Sequence, residues 1–231
     1  MTKIDLPQVP RSVPRTYTPH PFTHDELKRF FDACDNIKPR RGRFAAIQRM
    51  TLPVFFRLLY SSGIRTTEAV LLERDDVNLE NGVVSIKRGK GYDQHYVVLH
   101  DTMLPLMRIY DGKIDGLIPN RRVFFPTPDD KLHPPVWVTY HFRVLWQSCN
   151  SSHAIPYELR HNYAIENINS WTHQGFAVHD KLLALSKSMG HRQMESTLAY
   201  YSLTPAISDI IAYTDSEIEQ SLILETDEKE D

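Results

Sequence analysis

The sequence predicts a mainly helical fold with one small antiparallel β-sheet, the α+β class. Apolar residues recur every three or four positions over most of the chain between residues 23 and 201, which is the period of an amphipathic helix. The exception follows the turn signal Asn81-Gly82, where Val83, Val84 and Ile86 indicate a strand. A second strand over residues 95–99 would pair with it as a hairpin.

The helices can be placed in order from their start and stop signals. Thr23, with Glu26 three residues on, forms a capping-box pattern that begins the first helix. A second helix follows Thr51, with Pro53 in its first turn, and ends near Gly63, which can adopt a left-handed conformation. Further helices are predicted over residues 66–72, 101–111, 136–149, 157–169, 180–188 and 193–201.

The two ends of the chain differ in composition from the body. Residues 1–21 hold five of the 15 prolines, so we expect an extended arm or linker ahead of one ordered domain over residues 22–205. The spacing of apolar residues after the domain predicts an amphipathic helix over 206–224. The acidic residues 225–231 are expected to form a disordered tail.

The net charge of −2 is unevenly distributed. Residues 215–231 carry eight acids and one lysine, so residues 1–214 carry a net charge of +5. Seven cations and no acid lie between Asp35 and Glu68, which suits a polyanion such as double-stranded DNA because each neutralised phosphate releases counterions. The alternative is a solvated basic face without a partner. The DNA-binding candidates are Lys38, Arg40, Arg41 and Arg43.

Composition argues against several other classes of protein. The chain is 41% hydrophobic, but no apolar run approaches the roughly 18 residues of a membrane span. The first residues lack the apolar core of a signal peptide. Cys34 and Cys149 are too few for a disulfide framework and lack metal-ligand spacing. We therefore expect a cytoplasmic protein without a metal or cofactor.

Four short patterns contain the residue types that phosphodiester chemistry needs. They read S-G-I-R-T-T-E-A from residue 62, R-G-K-G from 88, Y-E-L-R-H from 157 and M-G-H from 189. Arginine, lysine and histidine suit a phosphate, and a tyrosine hydroxyl can attack it. Four candidates lie within these patterns, and a fifth follows the last one by nine residues. They are Arg65, Lys90, Arg160 and His191 within the patterns, and Tyr200 after them.

Together the patterns resemble the catalytic domain of the tyrosine recombinase, or phage integrase, family. L-L-Y-S-S-G-I-R-T-T-E-A-V-L-L (58–72) is similar to the first arginine box, and G-K-G followed by Val97-Val98-Leu99 resembles the β-hairpin lysine motif. Y-E-L-R-H is similar to the second arginine box, and M-G-H-R-Q-M-E-S-T-L-A-Y-Y to the segment that ends in the nucleophile. The boxes occur in the family's order, which implies a site-specific DNA recombinase with that fold.

The resemblance implies a role for each residue that faces the phosphate. Arg65 and Arg160 would stabilise the charge that develops during attack, because guanidinium groups pair with two oxygens and stay charged. It also implies that Glu68 orients the site. His191 would either donate to a non-bridging oxygen or assist the proton transfers.

The nucleophile and the general acid complete the implied reaction. Tyr200, nine residues after His191, would attack the phosphorus and form a 3′-phosphotyrosyl link without metal or ATP; Tyr201 is the adjacent alternative. Lys90 would protonate the departing 5′ oxygen, with Lys87 and Arg88 as neighbours that could take this role.

Two features depart from the family's pattern. Tyr157 stands where the second box usually has histidine, and a phenol can donate a hydrogen bond but cannot carry an imidazolium proton. We expect activity to be retained at a lower rate, with His161 bracing the pocket. The family also carries a helical core-binding domain ahead of the catalytic domain, and the arm over residues 1–21 is too short to replace it. We therefore expect fewer phosphate contacts, and so weaker and more salt-sensitive DNA binding.

Three functional interpretations remain open. The first is a recombinase that integrates or excises mobile DNA as a tetramer on two synapsed sites, with the helix over 206–224 docked into a neighbouring protomer. That helix could instead pack on its own domain. The second is a DNA-binding module without turnover, and the third is a monomeric type IB topoisomerase.

Overall fold

The structure is mainly helical with a three-stranded antiparallel sheet, as the sequence predicts. This computed structural model describes residues 20–87, 94–171, 177–191 and 195–198. The helices are α1 (His24–Asp35), α2 (Arg43–Ser62), α3 (Thr66–Val70), α4 (Met103–Asp115), α5 (Val136–Cys149), α6 (Glu158–Asn169), α7 (Ala177–Ser188) and α8 (Glu195–Leu198). The strands are β1 (Val77–Asn78), β2 (Val83–Ile86) and β3 (His95–Val98), and a 3-10 turn covers Arg74–Asp76. In the part of the chain that these ranges cover, no helix is both long and apolar enough to cross a membrane.

The predicted capping box begins α1. The Glu26 backbone N–H donates to Thr23 Oγ1 at 3.2 Å, and the Thr23 N–H donates to Glu26 Oε2 at 3.0 Å. Two otherwise unpaired backbone donors are satisfied in this way. Further along the helix, the buried Phe30 ring packs 5.0 Å from the ring of Phe142 on α5, which joins α1 to the core.

The predicted start of the second helix is wrong. It begins at Arg43 rather than after Thr51, so Pro53 lies in the helix interior. An interior proline costs about 3 kcal/mol relative to alanine, whereas burying one large apolar side chain contributes roughly 1.5–3 kcal/mol. Burial therefore outweighs local propensity, since seven apolar residues around the proline are in the core. They are Ile47, Leu52, Val54, Phe55, Phe56, Leu58 and Leu59.

The end of α2 lies at Gly63, as predicted. Gly63 has φ 64°, a left-handed conformation that favours glycine, and its N–H donates to the Leu59 carbonyl. A β-carbon at this position would lie 2.3 Å from the ring of Tyr163 on α6. Both the backbone conformation and the close approach of α6 therefore require glycine here.

The predicted hairpin is present, with a third strand that the sequence analysis missed. β2 pairs with β3 through Val84↔Val97 and Ile86↔His95, and the short β1 pairs with β2. Val84 and Val97 are buried against the core. A two-residue strand is too short to show the alternating pattern on which the sequence prediction depends.

A second cluster of buried apolar residues joins α6 to α7, and β3 packs against α7. This arrangement brings the end of α2, the start of α6, β3 and the turn after α7 together. The cluster consists of Ala164, Ile168, Trp171, Leu182, Leu185 and Met189. The predicted helix over 206–224, the acidic tail and residues 1–19 of the predicted arm lie outside the described residues.

Candidate active site

Arg65 lies just before α3 and is held by Glu68. The Arg65 backbone N–H donates to Glu68 Oε2 at 2.8 Å, and its Nη1 group donates to Oε1 at 2.6 Å. The carboxylate is 1% exposed, whereas the Arg65 side chain is 25% exposed. The buried acid therefore fixes the base of a guanidinium group that still reaches the surface.

Arg160 occupies the first turn of α6 and is 2% exposed. Its Nη1 group donates to the Gly63 carbonyl, and its Nη2 group donates to the Met189 carbonyl at 2.8 Å. Arg65 Nη2 donates to the next carbonyl along the chain, that of Gly190, at 2.9 Å. The two box arginines therefore converge on the same turn, 189–191.

His191 completes this turn as a neutral imidazole. Arg160 Nη2 lies 2.8 Å from His191 Nε2, and a guanidinium can only donate, so Nε2 is the acceptor. Nδ1 then carries the proton and donates to Thr197 Oγ1 at 2.7 Å. Burial, followed by the charges of Arg160, Arg65 and His95, lowers the pKa of His191 to about 4. The ring is consequently uncharged at neutral pH.

His95 and Thr197 are site residues that the sequence analysis missed. Gly190 has φ 64°, and a β-carbon there would lie 2.6 Å from His95 Cε1, so the His95 ring packs directly on the turn. His95 is the first residue of β3, at the base of the hairpin that carries Lys90. His95 stands in no recognisable motif. Thr197 lies inside the M-G-H-R-Q-M-E-S-T-L-A-Y-Y segment, but no local signal distinguishes it from its neighbours there.

Tyr157 and His161 flank Arg160 at the start of α6. The Tyr157 side chain is exposed, and its ring meets that of His161 edge-on with centroids 4.9 Å apart. Burial lowers the pKa of His161; the nearby Glu158 raises it and Arg160 lowers it further. Tyr157 therefore stands at the rim of the site, with His161 between it and the interior.

Two of the predicted residues, Lys90 and Tyr200, lie outside the described residues, as do the alternatives Arg88 and Tyr201. The strands on either side of the Lys90 segment end at Ile86 and His95, next to the 189–191 turn. Tyr200 follows Thr197 by three residues.

Lys87, the other alternative to Lys90, is engaged elsewhere. Its Nζ lies 2.6 Å from Asp76 Oδ1, and that carboxylate is 6% exposed. The hydrogen bond with Asp76 raises the pKa of Lys87. A lysine held in its charged form by a buried acid is a poor general acid.

The four DNA-binding candidates are not brought to this turn. They lie at or before the start of α2, whereas Arg65 follows its end, and a helix of 20 residues is about 30 Å long. Their side chains are exposed. Arg43 donates to the Leu117 carbonyl, and no ion pair within the described ranges involves any of the four, which are Lys38, Arg40, Arg41 and Arg43.

The site shows no ligand set for a metal. Across the described residues, no group of three or more His, Cys, Asp or Glu side chains is arranged to hold an ion. The charges that surround the 189–191 turn are instead those of Arg65, Arg160 and Glu68.

Known proteins are similar to this chain in sequence and in fold. The protein y4rE of Sinorhizobium fredii, named as an integrase/recombinase, is 28% identical over 210 residues, covering 87% of this chain and 66% of y4rE. A crystal structure of XerA recombinase matches with a TM-score of 0.66 at 17% identity, over 89% of this chain and 67% of that one. The Tn1549 transposon integrase, in complex with transposon right end DNA, matches with a TM-score of 0.62 at 17% identity, over 81% of this chain and 62% of that one.

This chain spans less than two thirds of the length of the curated relatives. The two structural matches show the shared fold. The model of the phage integrase family matches residues 21–206, the region that contains all four boxes. The chain belongs to the phage integrase family.

Proposed function

We propose that this chain is the catalytic part of a site-specific DNA recombinase that cuts and rejoins strands through a 3′-phosphotyrosyl intermediate. The observation that carries the proposal is the convergence of Arg65 and Arg160 on the 189–191 turn. Residues far apart in the sequence are held within one small region of positive charge. Such a region suits a phosphodiester whose charge increases during attack.

The two arginines have complementary positions for this role. Arg160 is buried, where its charge acts on a developing oxyanion with less screening than in water. Arg65 is partly exposed, so it can reach an incoming phosphate while Glu68 holds its base. Both guanidinium groups donate to backbone carbonyls, and the oxygens of a bound phosphate would take over part of that bonding.

The reaction balances with the chain's own residues. The Tyr200 oxygen bonds to phosphorus while the bond from phosphorus to the 5′ oxygen breaks. Lys90 gives a proton to the departing oxygen, and the tyrosine proton must be accepted. The new ester conserves the bond energy, so a second 5′ hydroxyl can reverse the step without ATP.

The neutral state of His191 favours a role in proton transfer over donation to the phosphate. Its Nε2 atom accepts a hydrogen bond from Arg160 and carries no proton to donate. If Arg160 turns this donor toward a bound phosphate, Nε2 becomes available to accept the tyrosine proton. Tyr157 would supply a hydrogen bond at the rim where a histidine is usual in the family.

The proposed organisation follows the matched region. Residues 22–205 form the catalytic domain, residues 1–21 an arm or linker, and residues 206–224 a helix that docks into a neighbouring protomer of a tetramer. Residues 225–231 form an acidic tail. Names such as integrase among the relatives support integration or excision of mobile DNA as the biological role. The proposed location is the cytoplasm.

Covalent trapping tests the proposal. The protein is mixed with nicked duplexes whose arms are randomised, and strands that form a denaturant-stable adduct are sequenced to identify the site. Wild-type protein should form the adduct, mass spectrometry should map it to Tyr200, and Tyr200→Phe should abolish it. Tyr201→Phe is the matched control and should retain it.

Other outcomes distinguish the alternatives. An adduct that persists in Tyr200→Phe and disappears in Tyr201→Phe would transfer the nucleophile to Tyr201. DNA binding without any adduct would overturn the proposed reaction and favour a binding module. Relaxation of supercoiled plasmid by a monomer would favour a topoisomerase.

A further inference from the structure

Glu158 connects the start of the described chain to the helix that carries Arg160. Glu158 is the first residue of α6 and is 4% exposed. Its Oε1 accepts the backbone N–H of His20 at 3.0 Å, and its Oε2 accepts the backbone N–H of Ile155 at 2.7 Å. One buried carboxylate therefore bonds both the incoming chain and the loop before α6.

A second acid strengthens this connection. The His20 ring lies 3.2 Å from Glu26 Oε2, and the Ser152 hydroxyl donates to Glu26 Oε1. Burial alone would raise the pKa of Glu26, but hydrogen bonds from Ser152, Thr23 and His20 hold it at about 2. We call His20, Glu26, Ser152, Ile155 and Glu158 the N-terminal clasp.

Aromatic contacts fix the same junction. The His20 ring meets Phe22 edge-on at 5.4 Å and Trp146 at 6.1 Å, while Trp146 Nε1 donates to the Ser152 carbonyl. His20 therefore cannot move without disturbing both the acids and the core. Whatever precedes residue 20 joins the domain at this point.

Arg160 lies only two residues beyond Glu158, in the same helical turn. Its bonds to Gly63, Met189 and His191 depend on where that turn lies. Moving His20 away would deprive a buried carboxylate of a donor, which is unfavourable unless the start of α6 shifts with it. The position of the chain at His20 is thus coupled to the position of Arg160.

We propose that Glu158 is a positioning residue, through which the chain entering at His20 sets the placement of Arg160 for cleavage. This rests on the proposed function, since it concerns the rate of that reaction. It also means that a domain or partner attached ahead of residue 20 could change cleavage without touching DNA near the phosphate.

Two pairs of variants test the proposal. His20→Pro removes the backbone donor to Glu158, whereas His20→Ala keeps it and removes only the ring. Glu158→Ala removes both acceptors, whereas Glu158→Gln keeps one carbonyl oxygen. Asn36→Ala is the control, because it removes a side-chain hydrogen bond at the other end of α1 without touching Glu26 or Glu158.

The first measurement is the rate of adduct formation at saturating protein, alongside the dissociation constant for DNA. Glu158→Ala and His20→Pro should slow adduct formation about tenfold or more, as expected for a displaced catalytic group. Their dissociation constants should stay within about twofold of wild type. Glu158→Gln should recover part of the rate, and His20→Ala should be less impaired than His20→Pro.

The second measurement does not require activity. Nitrogen NMR of the Arg160 guanidinium and the His191 ring should show shifted resonances in Glu158→Ala and His20→Pro, but not in Asn36→Ala. If the wild type forms no adduct, the proposed reaction fails and these resonances still decide the positioning role. Unchanged resonances, or rate losses that only follow DNA affinity or thermal stability, would overturn the proposal.

Discussion

The environment of one side chain, His191, decides which protonation state the site has. An imidazole near neutral pH can be charged or neutral, and its surroundings select between them. Here burial and two neighbouring arginines disfavour the charge, while Thr197 and Arg160 fix the tautomer. The His191 ring is therefore held uncharged, with Nε2 as the acceptor atom.

This state makes the stability of the fold depend on pH. The folded pKa of about 4 lies below the ordinary value of 6.5, so between these values the unfolded chain binds more protons than the folded one. The free energy of unfolding should therefore fall as pH decreases from 6.5 to 4. In His191→Gln the slope over this window should be smaller, by at most about 1.4 kcal/mol per pH unit.

Urea unfolding at several pH values between 4 and 7.5 measures this slope. Ser186→Ala is a suitable comparison, since it changes a buried side chain next to the same turn without removing a titratable group, and it should leave the slope unchanged. An equal slope in wild type and His191→Gln would show that His191 has the same pKa in the folded and unfolded chains, which would contradict the lowered pKa of the folded state.

At the scale of secondary-structure elements, the site forms where element ends meet. The end of α2 supplies the Gly63 carbonyl, the start of α6 supplies Arg160, and the turn after α7 supplies two further carbonyls. The first residue of β3 packs on that turn through its ring. Glycine is required at both carbonyl-bearing turns, because each has a positive φ and a close neighbour.

Gly190→Ala should destabilise the fold by about 2–4 kcal/mol, because it combines left-handed strain with overlap of the His95 ring. The double variant Gly190→Ala with His95→Ala should regain the part due to overlap. A double-mutant cycle by chemical denaturation measures both terms.

Gly112→Ala serves as the control for the same substitution. Gly112 lies in α4 with nothing within 4 Å of a β-carbon, so alanine should be neutral or stabilising there. Additivity of Gly190→Ala and His95→Ala would show that the ring and the turn do not interact energetically.

At the scale of the whole molecule, two groups of cations within the described residues lie near opposite ends of α2, a helix about 30 Å long. One is the arginine pair at the 189–191 turn, and the other is the exposed run from Lys38 to Arg43 at the start of α2. A duplex lying along α2 could contact both. The run from Lys38 to Arg43 would then contribute to DNA affinity, and the arginine pair to the cleavage reaction.

Arg40→Gln with Arg41→Gln should reduce the dependence of DNA affinity on salt. Each lost phosphate contact lowers the slope of log affinity against log salt by about 0.9, so a decrease of about 1.8 is expected. Fluorescence anisotropy at several salt concentrations measures it. The double variant Lys28→Gln with Arg108→Gln is the control, because it removes the same charge from exposed positions elsewhere and should leave the slope nearly unchanged. Equal decreases of the slope in the two double variants would mean that only the net charge of the protein matters.

The sequence by itself determined the fold class, most of the helices and the family, because these depend on short-range signals. A helix period, a capping box or an arginine box lies within a few consecutive residues and can be read there. The capping box at Thr23 and the end of α2 at Gly63 are examples that the structure confirms.

The tertiary structure alone decided the start of α2, the presence of β1, the neutral tautomer of His191 and the bond between His20 and Glu158. Each depends on groups that are distant in the sequence and adjacent only after folding. Burial of the core overrides the proline in α2, and the approach of Arg160 selects the acceptor atom of His191. Such effects arise from packing and desolvation, which no local pattern encodes.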